Sequence, residues 1–152
     1  MRTVTQRVRE ASVTVDGEVV GRIDAGMLIL LGVERGDSER DATVLANKLA
    51  GLRIFRSDTK PMDRSLGDLA GSALVVSQFT LAGSVRKGRR PGFDRAEDPP
   101  RAEALYRFFC DALRSVGVPV QTGRFGAHMD VHLLNDGPVT FVIDCREGAI
   151  IE

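Results

Sequence analysis

Hydrophobic and polar residues alternate along the opening stretch of the chain, with the period of two that suits a half-buried strand. Ser12-Val13-Thr14-Val15 and Glu18-Val19-Val20 flank Asp16-Gly17, a pair that readily takes up the positive φ of a tight hairpin turn. Strands are therefore predicted over residues 2–9 and 11–23. Met27 to Val33 is apolar without interruption by a polar group, as in a strand covered on both faces. The period then changes. Ala42, Leu45, Ala46 and Leu49 follow helical spacing behind Asp37-Ser38, which predicts a capped helix of about 15–18 residues.

Residues 57–71 are polar and interrupted by Pro61 and Gly67, the composition of a surface loop. Ala73 to Leu81 reads as a buried strand, followed by a basic, glycine-containing loop from Ala82 to Glu97. Pro99-Pro100 opens a second helix with Leu105, Phe108, Phe109, Ala112, Leu113 and Val116 on one face, and Gly117 stops it. Strands follow at Val118 to Thr122, Met129 to Leu134 and Val139 to Asp144, with Asn135-Asp136-Gly137-Pro138 as the turn between the last two. The order β-β-β-α-β-α-β-β-β predicts a single α/β domain over residues 1–152. It would be a mixed sheet or partly closed barrel with both helices packed on one side.

Composition narrows the class without naming a chemistry. A chain of 152 residues with 43% hydrophobic and 28% charged residues is ordinary globular usage. Met27 to Val33 is too short to span a bilayer, and nothing at the N-terminus resembles a secretory signal. Cys110 and Cys145 form no CxxC and have no histidine pair beside them, which argues against a disulfide scaffold or a zinc site. A cytoplasmic protein without metal or cofactor is expected. Positive and negative charges balance at 21 each, so any attraction to RNA must come from a local patch. Arg86, Lys87, Arg89 and Arg90 make the one such concentration, as either a solvated loop or a phosphate contact.

Familiar catalytic templates are missing. There is no GxSxG, and Gly83 to Gly88 has phosphate-loop glycine spacing but Arg89-Arg90 where Lys and Ser/Thr are needed. His128 and His132 fall on a predicted strand, about 13 Å apart, too far to share a metal. Two segments place polar groups where a strand should be apolar. Ser77-Gln78-Phe79-Thr80 ends the buried strand, its polar groups needing either loop partners or a ligand. Asn135-Asp136-Gly137-Pro138 reads as a turn, or as bare backbone able to approach another surface closely.

These segments resemble the D-aminoacyl-tRNA deacylases, also called D-tyrosyl-tRNA deacylases. The matching stretches include Gln6-Arg7-Val8, Leu31-Gly32-Val33, Leu52-Arg53-Ile54-Phe55, Val76 to Leu81, Lys87 to Pro91, Gly123 to Ala127 and Asn135 to Thr140. Together they run through nearly the whole chain in order. The resemblance implies hydrolysis of the ester joining a D-amino acid to the terminal adenosine of tRNA, with glycyl-tRNA as a further substrate. It implies a homodimer in which Gly137-Pro138 of one subunit, held cis, enters a catalytic pocket around Ser77, Gln78, Phe79 and Thr80 of the other. Arg7 would hold that motif, and Phe125 and Met129 would line the adenosine pocket. Arg86, Lys87, Arg89 and Arg90 would contact RNA. Backbone N–H groups near Phe79 and Thr80 would stabilise the oxyanion, with the substrate 2′-OH assisting. A Thr80 nucleophile is the competing mechanism, for which no base is visible. The chain departs from the family pattern over residues 57–65, at Gly92 and at His128, and Arg146 to Glu152 has no role in it. A non-catalytic RNA-binding dimer and a purely structural dimer are the alternatives.

Overall fold

In the computed structural model, which describes residues 1–151, the alternating N-terminal stretch is one unbroken strand, β1 (Arg2–Val15). It turns at Asp16-Gly17, both with positive φ, into β2 (Glu18–Ile23), as the hairpin signal requires. The break expected after residue 9 is absent. Glu10 and Ala11 remain paired with Leu134 and Leu133, because a neighbouring strand carries the ladder past the irregular sequence.

The apolar run forms β3 (Gly26–Gly32). The first helix, α1 (Glu39–Ala50), begins after Ser38, whose N–H donates to the Asp41 carboxylate at 2.8 Å. It has 12 residues rather than the longer span expected, ending at Gly51, a poor helix former. The predicted loop 57–71 contains a short helix, α2 (Leu66–Leu69), capped by Ser65. Then come β4 (Ser72–Ser77), a 3₁₀ turn over Phe79–Ala82, and α3 (Pro99–Ser115). β5 (Val120–Thr122), β6 (Asp130–Arg146) and β7 (Ala149–Ile150) complete the chain.

Two expectations fail here. The strand predicted to reach Leu81 stops at Ser77, since the chain winds into the 3₁₀ turn. The two strands predicted on either side of Asn135-Pro138 are a single strand, β6, antiparallel to β1 along its length. The tail also gains a place: β7 pairs with Cys145 and Arg146, and Gly148 N–H donates to the Asp41 carboxylate at 2.8 Å.

Strands lie in the order β5-β4-β3-β1-β6-β7, with β2 on the remaining length of β1. β3, β4 and β5 are parallel, whereas β1 is antiparallel to β2, β3 and β6. One sheet face packs Met27, Ile29 and Leu31 against Leu45 and Leu49 of α1 and Phe109 and Leu113 of α3. The other face gathers Val8, Val13, Ile23, Leu28, Leu74 and Val76 into a second core. β2 bends over to meet β4 and β5, so the sheet curls into a half-barrel with both long helices outside it. No helix among the described residues is long and apolar enough to cross a membrane.

Two stability experiments follow from this packing. Leu45 is fully buried between helix and sheet, so Leu45→Ala should lower unfolding stability by about 2–5 kcal/mol with little change in denaturant slope. The Asp144 carboxyl lies below the usual range because Arg2 donates to it at 2.6 and 2.7 Å, an effect that outweighs its burial. A carboxyl depressed in the folded state contributes stability above its unfolded pKa of about 3.9, and that contribution disappears as pH falls through the folded value. Asp144→Asn should therefore lower stability at pH 7 and weaken its decline in acid, measured by urea unfolding between pH 2 and 7.

Candidate active site

The Ser77-Gln78-Phe79-Thr80 segment gets its shape from the end of β3. Gln78 N–H donates to the Leu31 carbonyl at 2.8 Å, which continues the β3–β4 pairing one step beyond the strand. Gly32 then lets the 3₁₀ turn close in. A Cβ there would lie 2.8 Å from the Leu81 Cβ and 3.1 Å from the Gln78 carbonyl oxygen. The first donor inside the turn is Leu81 N–H, which reaches the Gln78 carbonyl at 3.2 Å. Phe79 and Thr80 N–H precede it and have no partner within the turn, the usual condition of helix N-termini.

Thr80 Oγ1 accepts from the Gln78 side-chain amide at 2.5 Å. An amide N–H orients a hydroxyl but takes no proton from it. Neither histidine is hydrogen-bonded to Thr80 among the described residues, and the His128 side chain is 97% exposed. The thiols offer no substitute: burial pushes Cys110 and Cys145 each up to about 11. This arrangement has hydrogen-bond donors but no activated side-chain nucleophile.

Ser77, Gln78 and Phe79 line a cleft of about 600 Å³. Phe125 and Met129 form another part of its wall. Met129 sulfur accepts the Arg124 N–H at 3.4 Å, and the Phe125 ring lies 5.9 Å from that of Tyr106. Tyr106 is itself tied to the Val75 carbonyl at 2.7 Å, with its hydroxyl pKa raised first by burial. It anchors Phe125 rather than exchanging protons. Thr80 is bonded to the wall residue Gln78 but is not itself part of the wall. Sequence reasoning missed Val33, Phe93 and Ala102, which come to the cleft from three separate segments; an aromatic straight after the basic loop was the one available sign for Phe93.

Asn135 to Thr140 is a bulge rather than the hairpin turn its composition suggests. Thr140 pairs with Gln6 and Asn135 with Val8, so Asp136, Gly137, Pro138 and Val139 all stand opposite Arg7. A proline without an N–H, beside a glycine, disrupts a ladder as readily as it makes a turn. Asn135 Oδ1 accepts the Val139 N–H at 3.0 Å, closing the bulge from inside. Arg7, only 5% exposed, donates from Nε to the Asp136 carbonyl at 2.8 Å and from Nη1 to the Ile54 carbonyl at 2.7 Å. The Gly137-Pro138 peptide is cis, and Gly137 has φ +150°. Neither residue lines the cleft of its own chain.

The basic residues sit on a closed loop that follows the Ser77–Thr80 segment. Ser84 and Gly92 exchange two backbone hydrogen bonds of 2.8 and 2.9 Å. Arg86, Lys87, Arg89 and Arg90 are exposed between them. None is ion-paired among the described residues, whereas Arg35, Arg95 and Arg101 nearby are paired with Asp98, Glu34 and Glu97.

Residues 4–144 match the family model for D-Tyr-tRNA(Tyr) deacylase. A D-aminoacyl-tRNA deacylase of Symbiobacterium thermophilum is 57% identical over 147 residues, 97% of each chain. One from Geobacter sulfurreducens is 56% identical over 146 residues, 96% of each. Among solved structures, one described as c-Myc DNA Unwinding Element Binding Protein is similar at TM-score 0.90 and 39% identity, covering 95% of this chain and 98% of that one. A probable eukaryotic D-amino acid tRNA deacylase shares the fold at TM-score 0.78 and 21% identity, covering 93% and 97%. With near-complete coverage at this identity, and the matched region holding both polar segments, the chain belongs to the D-Tyr-tRNA(Tyr) deacylase family.

Proposed function

We propose that this protein hydrolyses the ester of D-aminoacyl-tRNA, releasing the D-amino acid and tRNA, and that it also accepts glycyl-tRNA. The observation that carries the reading is the pair of N–H groups at Phe79 and Thr80, without partners in the turn, beside a cleft that holds no activated side-chain nucleophile. Ester hydrolysis by water needs little more. Water oxygen bonds to the ester carbonyl carbon, the two N–H groups meet the developing oxyanion, and the bond to the ribose 3′ oxygen breaks. The departing oxygen takes the proton that the attacking water gives up, and the neighbouring 2′-OH of the substrate assists that transfer. Ser77, Gln78, Phe79 and Thr80 shape this centre. Phe125 and Met129 receive the terminal adenosine.

The bulge supplies the stereochemical choice in trans. Gly137 and Pro138 are absent from the cleft of their own chain, which agrees with the role the family resemblance implies for them, as Gly137 and Pro138 of the partner subunit in a homodimer. Val131, Leu134, Phe141 and Val142 on the same strand are exposed apolar residues, which supports a protein interface along β6. Backbone atoms clamped by Arg7 make a stiff barrier to an L side chain. A barrier of that kind has nothing to strike in glycine. A second reading, an RNA-binding dimer without catalysis, is favoured by the unpaired basic loop alone.

Purified protein should release D-tyrosine rapidly from D-tyrosyl-tRNA and leave matched L-tyrosyl-tRNA intact. Binding of tRNA with neither ester cleaved would replace the enzyme with the RNA-binding reading, while equal cleavage of both would remove the chiral barrier. At Gly137 an added Cβ would meet Val139 Cγ2 at 2.7 Å and Val139 N at 2.8 Å, at φ +150°. Gly137→Ala should therefore change the D-over-L ratio of kcat/KM by about ten-fold or more, on the scale of ~1–3 kcal/mol of backbone strain. Reversing Arg89 and Arg90 to Glu should weaken tRNA binding and flatten the salt dependence of log K by about two units of slope.

A further inference from the structure

We propose that the ring of Phe93, backed by Phe79, is a stacking site for an unpaired nucleobase, the one immediately 5′ of the substrate's terminal adenosine. This rests on the deacylase reading for the identity of the strand. The observation is an aromatic pair left open at the mouth of the cleft. The two rings are 5.0 Å apart at 58°, yet Phe79 is 56% and Phe93 38% exposed. Phe93 also lines the cleft beside Phe79.

Its backbone is firmly placed. The Ser84–Gly92 bridge closes directly before it, and its carbonyl accepts the Ala96 N–H at 3.0 Å. The ring is therefore a preformed surface rather than a loose side chain. Its surroundings select the ligand class. Arg86, Lys87, Arg89 and Arg90 project from the nine-residue-scale loop that Phe93 terminates, all exposed and without carboxylate partners among the described residues. The chain carries as many acidic as basic residues, and the neighbouring Arg35, Arg95 and Arg101 are each held by a carboxylate. The densest unpaired positive charge thus lies in the loop next to the aromatic pair.

Exposed aromatic faces beside a row of free cations are the two components of single-strand recognition: cations follow the phosphates, and bases stack on the rings. A phenyl face has no hydrogen-bonding edge, so the site holds a base without reading its identity. With adenosine against Phe125 and Met129 inside the cleft, the preceding nucleotide leaves over its mouth, where Phe93 stands.

Phe93→Leu keeps apolar bulk against Phe79 and removes the π face, whereas Phe93→Trp enlarges it. Two substrates separate stacking from support: D-tyrosyl-tRNA, and D-tyrosyl-adenosine, which has no preceding base. Phe93→Leu should lower kcat/KM on the tRNA substrate about ten-fold more than on D-tyrosyl-adenosine, mainly through KM, with Phe93→Trp restoring it. Equal losses on both substrates would overturn the proposal, because Phe93 would then only prop the catalytic segment. No loss on either would overturn it too. The chain has no tryptophan, so Phe93→Trp also introduces a lone indole, whose emission should change on adding the unacylated trinucleotide cytidyl-cytidyl-adenosine. An unchanged emission would reject the stacking site. If the wild-type protein cleaves neither ester while the indole responds to the RNA, the deacylase reading fails and the nucleobase site stands.

Discussion

A single buried guanidinium ties together three segments that are distant in the chain. Arg7 lies on β1, the strand that pairs with β2, β3 and β6. Its charge faces two backbone carbonyls, those of Asp136 and Ile54, and the Asp136 carboxylate lies 3.5 Å away. A buried arginine needs all its donors directed at acceptors, and here the acceptors belong to two irregular segments. One is the bulge of β6. The other is the irregular chain that follows α1. Removing the guanidinium would leave both carbonyls without this donor.

The Ser77–Thr80 segment is built by the opposite means. It uses no charge at all. Gly32 lets the 3₁₀ turn settle onto the end of β3, and the first turn of that helix leaves two N–H groups without internal partners. The only side-chain bond inside the segment joins Gln78 to Thr80 and supplies no base. Fixed backbone dipoles beside a cleft suit the stabilisation of a developing negative charge without a charged side chain. They also agree with thiols pushed up by burial and histidines left at the surface.

Sequence and structure disagree where one residue pattern serves two backbone outcomes. Asn-Asp-Gly-Pro is the composition of a turn, and it is equally the composition of a wide bulge in a continuous strand. The difference is decided by Arg7 and by Thr140 resuming its register with Gln6, partners more than a hundred residues distant in the chain. The Ser-Gln-Phe-Thr segment behaves similarly. Its apolar residues satisfy a strand pattern, but the strand stops at Ser77 because Gly32 leaves room for a tighter turn. The hairpin at Asp16-Gly17 and the helix starting at Pro99 were legible because their signals are local, a positive-φ pair and a proline in the first turn.

The sequence alone determined the α/β class, the hairpin, the two long amphipathic helices and the residue types of both polar segments, since each follows from periodicity or from the backbone preferences of neighbouring residues. Only the tertiary structure decided that the last two predicted strands are one, that Phe93 joins Phe79 at the cleft, and that Gly137-Pro138 stands away from the cleft of its own chain. Those outcomes depend on how the sheet curls and which distant segments it brings into register. Such contacts are chosen by the packing of the whole molecule, and no short window of sequence contains both partners.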